Sequence, residues 1–222
     1  MSEPKPYNPL DKKNLGASVA EALLGRKPRQ LGDLESFHGA GIYAIYYRGN
    51  FKPYWRLSEL SRTDDPQVPV YVGKAIPAGG RKGASASDGV KSKALANRLR
   101  EHAESIATSE NLNVEDFLCR FLVVDDIWIP LGESLLIAKF APIWNTLIDG
   151  FGNHDPGKGR YEGMRPRWDV LHPGRSWALK CQPRPENASQ IAGEVEAHLA
   201  ALNLPISSHF YVEEKRAHYK LT

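Results

Sequence analysis

The stretch GIYAIYYR, residues 41–48, is dense in β-branched and aromatic residues and places apolar side chains at both alternating positions. A central strand has this pattern because both of its faces are buried. The segment VPVYV, residues 68–72, has the same strand character and is followed by glycine and lysine. We therefore predict that the two segments form neighbouring antiparallel strands and that Tyr43 projects from the sheet.

The segments that follow predict a small mixed core. Residues 93–107 carry apolar side chains at helical spacing, with Ser92 as the N-cap. Residues 116–124 have the composition of a third strand, and Pro130 and Pro142 mark the start and end of another helix. The order strand, strand, helix, strand, helix predicts an α+β fold with a small, mostly antiparallel central sheet flanked by helices.

The length of 222 residues favours a single domain with embellishments. We predict a core over residues 39–145, interrupted by an insertion of polar and aromatic residues at 48–69. Residues 1–38 form an N-terminal extension with a short helix at 15–25, and residues 146–222 form a C-terminal extension with a helix at 189–202. Between Asn145 and that last helix the chain is rich in glycine and basic residues.

Composition excludes several classes of protein. Apolar residues make up 41% and charged residues 25% of the chain, which argues against a disordered or collagen-like protein. The longest apolar runs are too short to cross a bilayer, and the N-terminus has no apolar segment of the secretory type. Cys119 and Cys181 lack zinc-site spacing, and the length argues against a disulfide scaffold. We expect a protein without a membrane span in a reducing cytoplasm.

Basic residues are concentrated in two stretches, although the formal net charge is only +3. The first stretch contains Lys74, Arg81, Lys82, Lys91, Lys93, Arg98 and Arg100, and the second contains Lys158, Arg160, Arg165, Arg167, Arg175 and Lys180. Residues 185–204 carry three glutamates and neither lysine nor arginine. Such segregation is what a surface that binds a polyanion requires, although a pair of solvated loops would give the same pattern.

Several polar residues of the core have a simple structural explanation when each is taken alone. Tyr43 and Tyr71 fit half-buried strand tyrosines. His102 lies one helical turn after Arg98, as a solvated histidine would beside a surface ion pair. Glu133 in the first turn of its helix suits the helix dipole, and Asn145 suits a helix-terminal cap. It is their combination, in this order, that the structural explanation does not cover.

The five motifs together resemble the GIY-YIG nuclease superfamily. They are GIY at 41–43, YVG at 71–73, RLREH at 98–102, then Glu133 and Asn145. YVGKA at 71–75, WN at 144–145, DGFGNH at 149–154 and HPGR at 172–175 resemble its type II restriction endonuclease branch. The resemblance implies the GIY-YIG nuclease fold, with long loop insertions and terminal extensions around the catalytic core at 39–145.

The interval from Tyr43 to Tyr71 is far longer than in the minimal domain of the superfamily. The restriction branch has an excursion here, whereas repair and homing members do not. The sequence also has no recognisable helix-hairpin-helix motif or zinc finger of the kind that those relatives append. Both features favour a restriction endonuclease of the bacterial cytoplasm, in which loops of the same domain read the target.

Phosphodiester hydrolysis needs an activated water, charge stabilisation at the phosphoryl oxygens and help for the leaving oxygen. Glu133 is the one carboxylate among the candidate catalytic residues, so we predict that it holds one Mg²⁺ per active site, with Mn²⁺ as a substitute. Arg98 has the donor geometry to hold the scissile phosphate, and Asn145 is expected to orient the arrangement.

The resemblance implies Tyr43 as the general base and Tyr71 as the residue that positions the water or the phosphate, although the sequence leaves the two roles exchangeable. A tyrosine needs help to act as a base because its ordinary pKa is about 10. Two sources of this help stay open. Cations such as Arg98, Lys74 and the metal would favour a phenolate, or His102 would accept the tyrosine proton as a relay.

The predicted substrate is double-stranded DNA, bound by the two basic stretches. The candidate DNA-binding residues are Lys74, Arg81, Lys82, Lys91, Lys93, Lys158, Arg160, Arg165 and Arg175. Members of the restriction branch cut the palindrome CCGCGG as homodimers, which implies the same target, 5′-phosphate and 3′-hydroxyl ends, and dimerisation through residues 146–222. A partner DNA methyltransferase is expected to act in the same system without binding the protein.

Two alternatives remain open at this point. A structure-directed repair or recombination nuclease would use the same chemistry on branched DNA. A non-catalytic DNA-binding module would have lost the chemistry, and the intact set of Tyr43, Tyr71, Arg98, His102 and Glu133 argues against it.

Overall fold

The computed structural model of the protein describes residues 8, 10–77, 92–157 and 161–202. Four strands make one sheet: β1 (Arg29–Gln30), β2 (Gly41–Tyr47), β3 (Tyr71–Ala75) and β4 (Phe117–Val123). The helices are α1 (Lys12–Leu24), α2 (Trp55–Ser61), α3 (Ala94–Thr108), α4 (Ile129–Phe140), α5 (Ile143–Thr146), α6 (Arg167–Leu171) and α7 (Ala188–Ala201). Short 3₁₀ turns lie at Lys52–Tyr54, Val114–Asp116 and Ala178–Lys180.

The sheet is antiparallel throughout, in the order β1-β4-β2-β3. Strand β2 pairs with both β3 and β4, and all seven of its residues are buried, as the run of apolar residues predicts. The predicted α+β class, the antiparallel pairing and the order of core elements are confirmed. Strand β3 begins at Tyr71, later than the predicted residue 68, and the two-residue β1 gives no sequence signal of its own.

Two hydrophobic clusters cover the faces of the sheet. Alternation along β2 places Tyr43, Ile45 and Tyr47 in one cluster and Ile42, Ala44 and Tyr46 in the other. Helix α3 packs in the first cluster through Leu95, Leu99 and Ile106, and helices α1 and α4 pack in the second through Ala20, Leu23 and Leu136. We name these the α3 face and the α4 face.

The hydrophobic core of the α3 face extends past Asn145. Phe151, Trp168 and Leu171 are buried in it, as are three residues of α7, Ile191, Val195 and Leu199. The insertion at 48–69 joins the same cluster through Tyr54 and Leu57, and it contains a 3₁₀ turn and helix α2. The last 20 residues of the chain, 203–222, lie outside the described residues, so the predicted dimerisation role of 146–222 stays a prediction.

None of the helices in the described ranges is long and apolar enough to cross a membrane.

Candidate active site

The hydroxyl group of Tyr43 makes a hydrogen bond of 2.7 Å to Nε2 of His102. Tyr43 projects from β2 onto the α3 face, and His102 reaches it from the middle of helix α3, one turn after Arg98. Both side chains are buried, with exposed fractions of 0% and 2%. The sequence places these residues far apart, and the packing of α3 on the sheet joins them.

Aromatic rings enclose this pair. The ring of Tyr71, half-buried on strand β3, lies 5.2 Å from the His102 ring and 6.2 Å from the Tyr43 ring, centroid to centroid. Phe151 stacks on His102 at 4.5 Å with an interplanar angle of 17° and meets Tyr71 edge-on at 5.0 Å. Phe151 therefore fixes both the plane of the imidazole and the position of the tyrosine ring.

Arg98 lies beside the tyrosines on helix α3, and its side chain is 21% exposed. Its guanidinium donates a hydrogen bond of 2.7 Å to the carbonyl oxygen of Gly152 and makes a 3.2 Å ion pair with Glu101. The exposed ring of His154 also contacts this guanidinium. The Arg98 head group is thus held at the rim of the site, where it borders an open cleft lined by Lys74, Lys93 and Asn97 among others.

Glu133 and Lys74 form an ion pair of 2.6 Å on the α4 face. Lys74 follows Gly73 in strand β3, and Glu133 is the fifth residue of α4, which begins at Ile129. The prediction that Glu133 lies in the first turn is therefore wrong, because the helix begins one residue before Pro130. Burial raises the pKa of both Tyr43 and Tyr71, and the nearby Glu133 carboxylate adds a smaller upward shift.

The donor set at Glu133 fits a hard divalent cation that is held mainly through its substrate. Among the described residues, no group of three His, Cys, Asp or Glu side chains comes together. Mg²⁺ commonly keeps several waters and binds one or two carboxylates together with substrate phosphates. The Glu133 side chain is 16% exposed, so its carboxylate remains accessible for such a bond.

Asn145 lies within the short helix α5 and does not cap a helix with its side chain. It makes two 2.8 Å hydrogen bonds to the backbone of Val72: Oδ1 accepts from the Val72 N–H, and Nδ2 donates to the Val72 carbonyl. Because β3 is the edge strand, these backbone groups face away from β2 and need a partner. The Asn145 side-chain amide thus bonds to the open edge of β3 in the way that the backbone of a neighbouring strand would. It holds β3 in place at Val72, between Tyr71 and Gly73.

Burial controls the protonation of the Tyr43–His102 pair. It raises the pKa of Tyr43 well above the ordinary value, the neighbouring Tyr71 raises it further, and the Arg98 guanidinium lowers it by less. Burial also lowers the pKa of His102 well below its usual range, with further lowering by Arg98, His154 and Arg175. Both groups are therefore neutral at pH 7. Arg98 favours a phenolate as expected, but burial outweighs its effect, and the neutral imidazole is positioned to accept the hydrogen bond.

Two glycines leave the space that the site needs. A Cβ atom at Gly73 would lie 2.3 Å from the Tyr43 hydroxyl oxygen, and one at Gly152 would lie 2.7 Å from the Tyr71 hydroxyl oxygen. Contacts this short do not occur, so any side chain at either position would displace a tyrosine. The glycine of YVG at 71–73 is therefore explained by the close approach of Tyr43.

The part of the sequence that carries these residues matches a known family. A family model described as the Eco29kI GIY-YIG domain matches residues 35–199, well over half of the 222 residues. The chain belongs to this family. Eco29kI is a type II restriction endonuclease, so the chain is a nuclease of the restriction type. A search of curated proteins found no match.

The family match extends well beyond Asn145, as does the hydrophobic core. Membership in the Eco29kI family confirms the resemblance inferred from the motifs. It also confirms the GIY-YIG fold, with the antiparallel sheet flanked by helices. DNA as the substrate follows from the nuclease family.

The candidate DNA-binding residues have different surroundings. Lys93 is exposed at the start of α3, and Lys74 pairs with Glu133. Arg165 is half-buried, and its Nε donates to the Ala178 carbonyl. Arg81, Lys82, Lys91, Lys158 and Arg160 lie outside the described residues.

The assignment of Arg175 to DNA binding is wrong. Its side chain is 5% exposed and forms a 2.6 Å ion pair with the buried Asp169. Arg175 also donates to backbone carbonyls, so its guanidinium is not available to a DNA groove. A run of basic residues does not distinguish such a buried arginine from a solvated one.

Sequence reasoning gave no role to Phe151, Gly152 or His154, although all three contact the predicted catalytic residues. The string GFGNH at 150–154 carried a signal, since closely spaced glycines directly after a helix end indicate a tight backbone approach. Which residues that backbone approaches is set by the tertiary fold.

Proposed function

We propose that this restriction-type nuclease is a type II enzyme that makes Mg²⁺-dependent, site-specific double-strand breaks in DNA. The observation that carries the proposal is the 2.7 Å hydrogen bond between Tyr43 and a neutral, buried His102, beside Tyr71 and Arg98. A surface ion pair or a structural tyrosine would not require this convergence of four polar groups at the edge of a sheet.

In this proposal Tyr43 is the general base. Its hydroxyl oxygen accepts a proton from the attacking water while its own proton moves along the existing hydrogen bond to Nε2 of His102. A buried imidazolium beside Arg98 is costly, and the negative charge that develops on the phosphoryl group offsets this cost. Tyr71, whose ring neighbours those of both Tyr43 and His102, positions the water or the phosphate.

Arg98 and Glu133 act on the phosphate. The Arg98 guanidinium, held at its back by the Gly152 carbonyl, donates to the phosphoryl oxygens and stabilises their charge. Glu133 would hold Mg²⁺, which when bound polarises the scissile phosphate and stabilises the leaving oxygen. Lys74 lies 2.6 Å from the same carboxylate, so it is placed to contact a phosphate oxygen once the carboxylate is engaged. Cleavage of the bond to the 3′ oxygen leaves a 5′-phosphate and a 3′-hydroxyl.

The target is proposed to be palindromic and GC-rich, with CCGCGG as the first candidate. A single site of this kind cuts one strand, so breaks at equivalent positions in both strands need two subunits, which favours a homodimer. A methyltransferase that protects the host DNA would complete the system.

The Glu133→Gln variant tests the role of the metal. We expect cleavage of unmodified DNA to fall at least 1,000-fold, on the order of the loss of several kcal/mol of charge stabilisation, while binding to the same DNA persists. Gel shift in the presence of Ca²⁺ measures binding, and a single-turnover assay with Mg²⁺ measures cleavage. The matched control is Glu104→Gln, which changes an exposed glutamate of α3. Cleavage by Glu133→Gln at the rate of this control would overturn the assignment.

A further inference from the structure

Arg175 is the most completely bonded arginine of the described residues. Its Nε and one terminal nitrogen form a bidentate pair with Asp169, at 2.7 and 2.6 Å. The remaining N–H groups reach the carbonyl oxygens of Gly150, Phe151 and Asn153 at 2.9 to 3.1 Å. The guanidinium also lies 4.5 Å from the Trp168 ring and 4.8 Å from the Trp177 ring.

The five N–H groups of a guanidinium are thus all used, and three of them hold one short loop. We name residues 150–153 the catalytic loop because two of them, Phe151 and Gly152, contact the predicted catalytic residues. The carbonyl of Gly152, the one residue of this loop that Arg175 does not bind, accepts the 2.7 Å bond from Arg98. The ring of Phe151 stacks on His102 at 4.5 Å. Arg175 therefore fixes the carbonyls on both sides of the group that orients Arg98.

The backbone of the catalytic loop needs such support. Gly150 has a φ of +100°, and a Cβ atom there would lie 2.1 Å from Pro166. An array of carbonyl oxygens that converge on one point is held only while a cation with several donors occupies that point. Lysine has three donors in a compact head group and cannot reproduce the planar arrangement of arginine.

We propose that the Asp169–Arg175 pair is a positioning element for DNA cleavage, which sets the Arg98 guanidinium and the His102 imidazole through the catalytic loop. This inference rests on the proposed function, since it assigns the pair to the same site. Arg175 was predicted to contact DNA; in this proposal it instead affects the rate of the chemical step.

The Arg175→Lys variant keeps the charge and removes the array of donors. We expect its single-turnover cleavage rate to fall about 10- to 100-fold, as outer-shell substitutions around a catalytic site commonly do. We expect the Kd for DNA to stay within about twofold of the wild type, because Arg175 has no free donor for DNA. Asp169→Asn is the milder second variant, for use if Arg175→Lys does not fold by circular dichroism.

The matched control is Arg120→Lys. Arg120 is another buried arginine, with 2% exposure, that donates to the carbonyls of Arg26 and Pro66 and pairs with Asp65. It lies on strand β4, where it covers the ring of Tyr46 on the α4 face. We expect this variant to lose thermal stability as Arg175→Lys does, but to cleave within about threefold of the wild-type rate.

The deciding readout is the coupling to Arg98. In an Arg98→Lys background, where the Gly152 carbonyl no longer orients a guanidinium, only the effect through Phe151 and His102 remains. Arg175→Lys should therefore lower the residual rate by a clearly smaller factor than it does in the wild type. An equal loss in both backgrounds, a loss that matches that of Arg120→Lys, or a weakened Kd with an unchanged rate would each overturn the positioning role. A wild-type protein that does not cut DNA would refute the proposed function itself, whereas normal cutting by Arg175→Lys would refute this inference alone.

Discussion

At the scale of single residues, the site depends on a neutral pair. Burial moves the pKa of Tyr43 up and that of His102 down, so that neither is charged at pH 7. Their 2.7 Å hydrogen bond provides a path for a proton, and the Arg98 guanidinium at the rim lowers the pKa of Tyr43 by less than burial raises it. In the proposed mechanism, this hydrogen-bonded pair is what lets a tyrosine act as the general base.

The Tyr43→Phe variant removes one hydroxyl from this path. We expect cleavage to fall about 10²- to 10⁴-fold, the range that a general base contributes, while DNA binding is retained. The buried Nε2 of His102 loses its partner, so the free energy of unfolding should fall by about 1–3 kcal/mol. Single-turnover kinetics and denaturant unfolding measure the two effects.

Tyr46→Phe is the matched control, since Tyr46 is equally buried on the opposite face of the same strand. We expect it to cleave at close to the wild-type rate. Near-normal turnover of Tyr43→Phe would transfer the role of base to Tyr71 or His102.

At the scale of elements, an edge strand and an insertion position the site. Strand β3 carries Tyr71 and Lys74 and is held at its open edge by the Asn145 side chain. The insertion is tied to the rest of the core through Tyr54, whose hydroxyl accepts a 3.0 Å bond from Trp144 and lies 2.5 Å from Nε2 of His172. The insertion is thus part of the support of the site as well as an addition to the minimal fold.

Asn145→Asp tests the support of β3. The carboxylate can still accept from the Val72 N–H, but it loses the donor to the Val72 carbonyl and places an anion against that oxygen. We expect a loss of about 1–3 kcal/mol in the free energy of unfolding and about a tenfold lower cleavage rate. Asn187→Asp is the control, because Asn187 caps α7 and aspartate is an equally good N-cap. Equal stability of the two variants would contradict a role of the amide donor.

The elements on which the site stands could be predicted from sequence, and the connections between them could not. The apolar run at 41–48 and the helical spacing at 93–107 fix β2 and α3, because period and burial are local properties. Arg175 looked like a DNA contact because its burial depends on Asp169, Trp168 and a loop more than 20 residues earlier. Phe151 and Gly152 were missed because their contacts with α3 span over 45 residues of sequence.

At the scale of the whole molecule, one buried network joins the insertion, α5 and the segment after α6. His172 is fully buried between Tyr54 and Asn111, at 2.5 and 2.8 Å, and burial lowers its pKa to about 3, with a smaller effect of Arg175. A charged imidazole does not fit this network, so the fold binds that proton much less well than the unfolded chain does.

This difference predicts lower stability in acid. Because the folded pKa of His172 lies below its unfolded value of about 6.5, the unfolded state binds the proton first as the pH falls. Between pH 7 and pH 5 the linked loss is about 2 kcal/mol in the free energy of unfolding. Urea unfolding at pH 7 and pH 5 measures this fall in the free energy of unfolding. It should be smaller by about this amount in His172→Gln than in the wild type. The same loss in variant and wild type would show that a group other than His172 causes it.

The most direct test of a metal-dependent, site-specific nuclease is digestion of unmodified phage DNA by the purified protein. The reactions contain Mg²⁺, Mg²⁺ with excess EDTA, or Mg²⁺ with the Glu133→Gln variant, and the fragments are resolved on a gel and their ends mapped. We predict discrete bands in the first reaction, intact DNA in the other two, and ends that share one palindromic site. A smear would contradict site-specific cleavage and favour a structure-directed nuclease, and intact DNA in every reaction would contradict cleavage altogether.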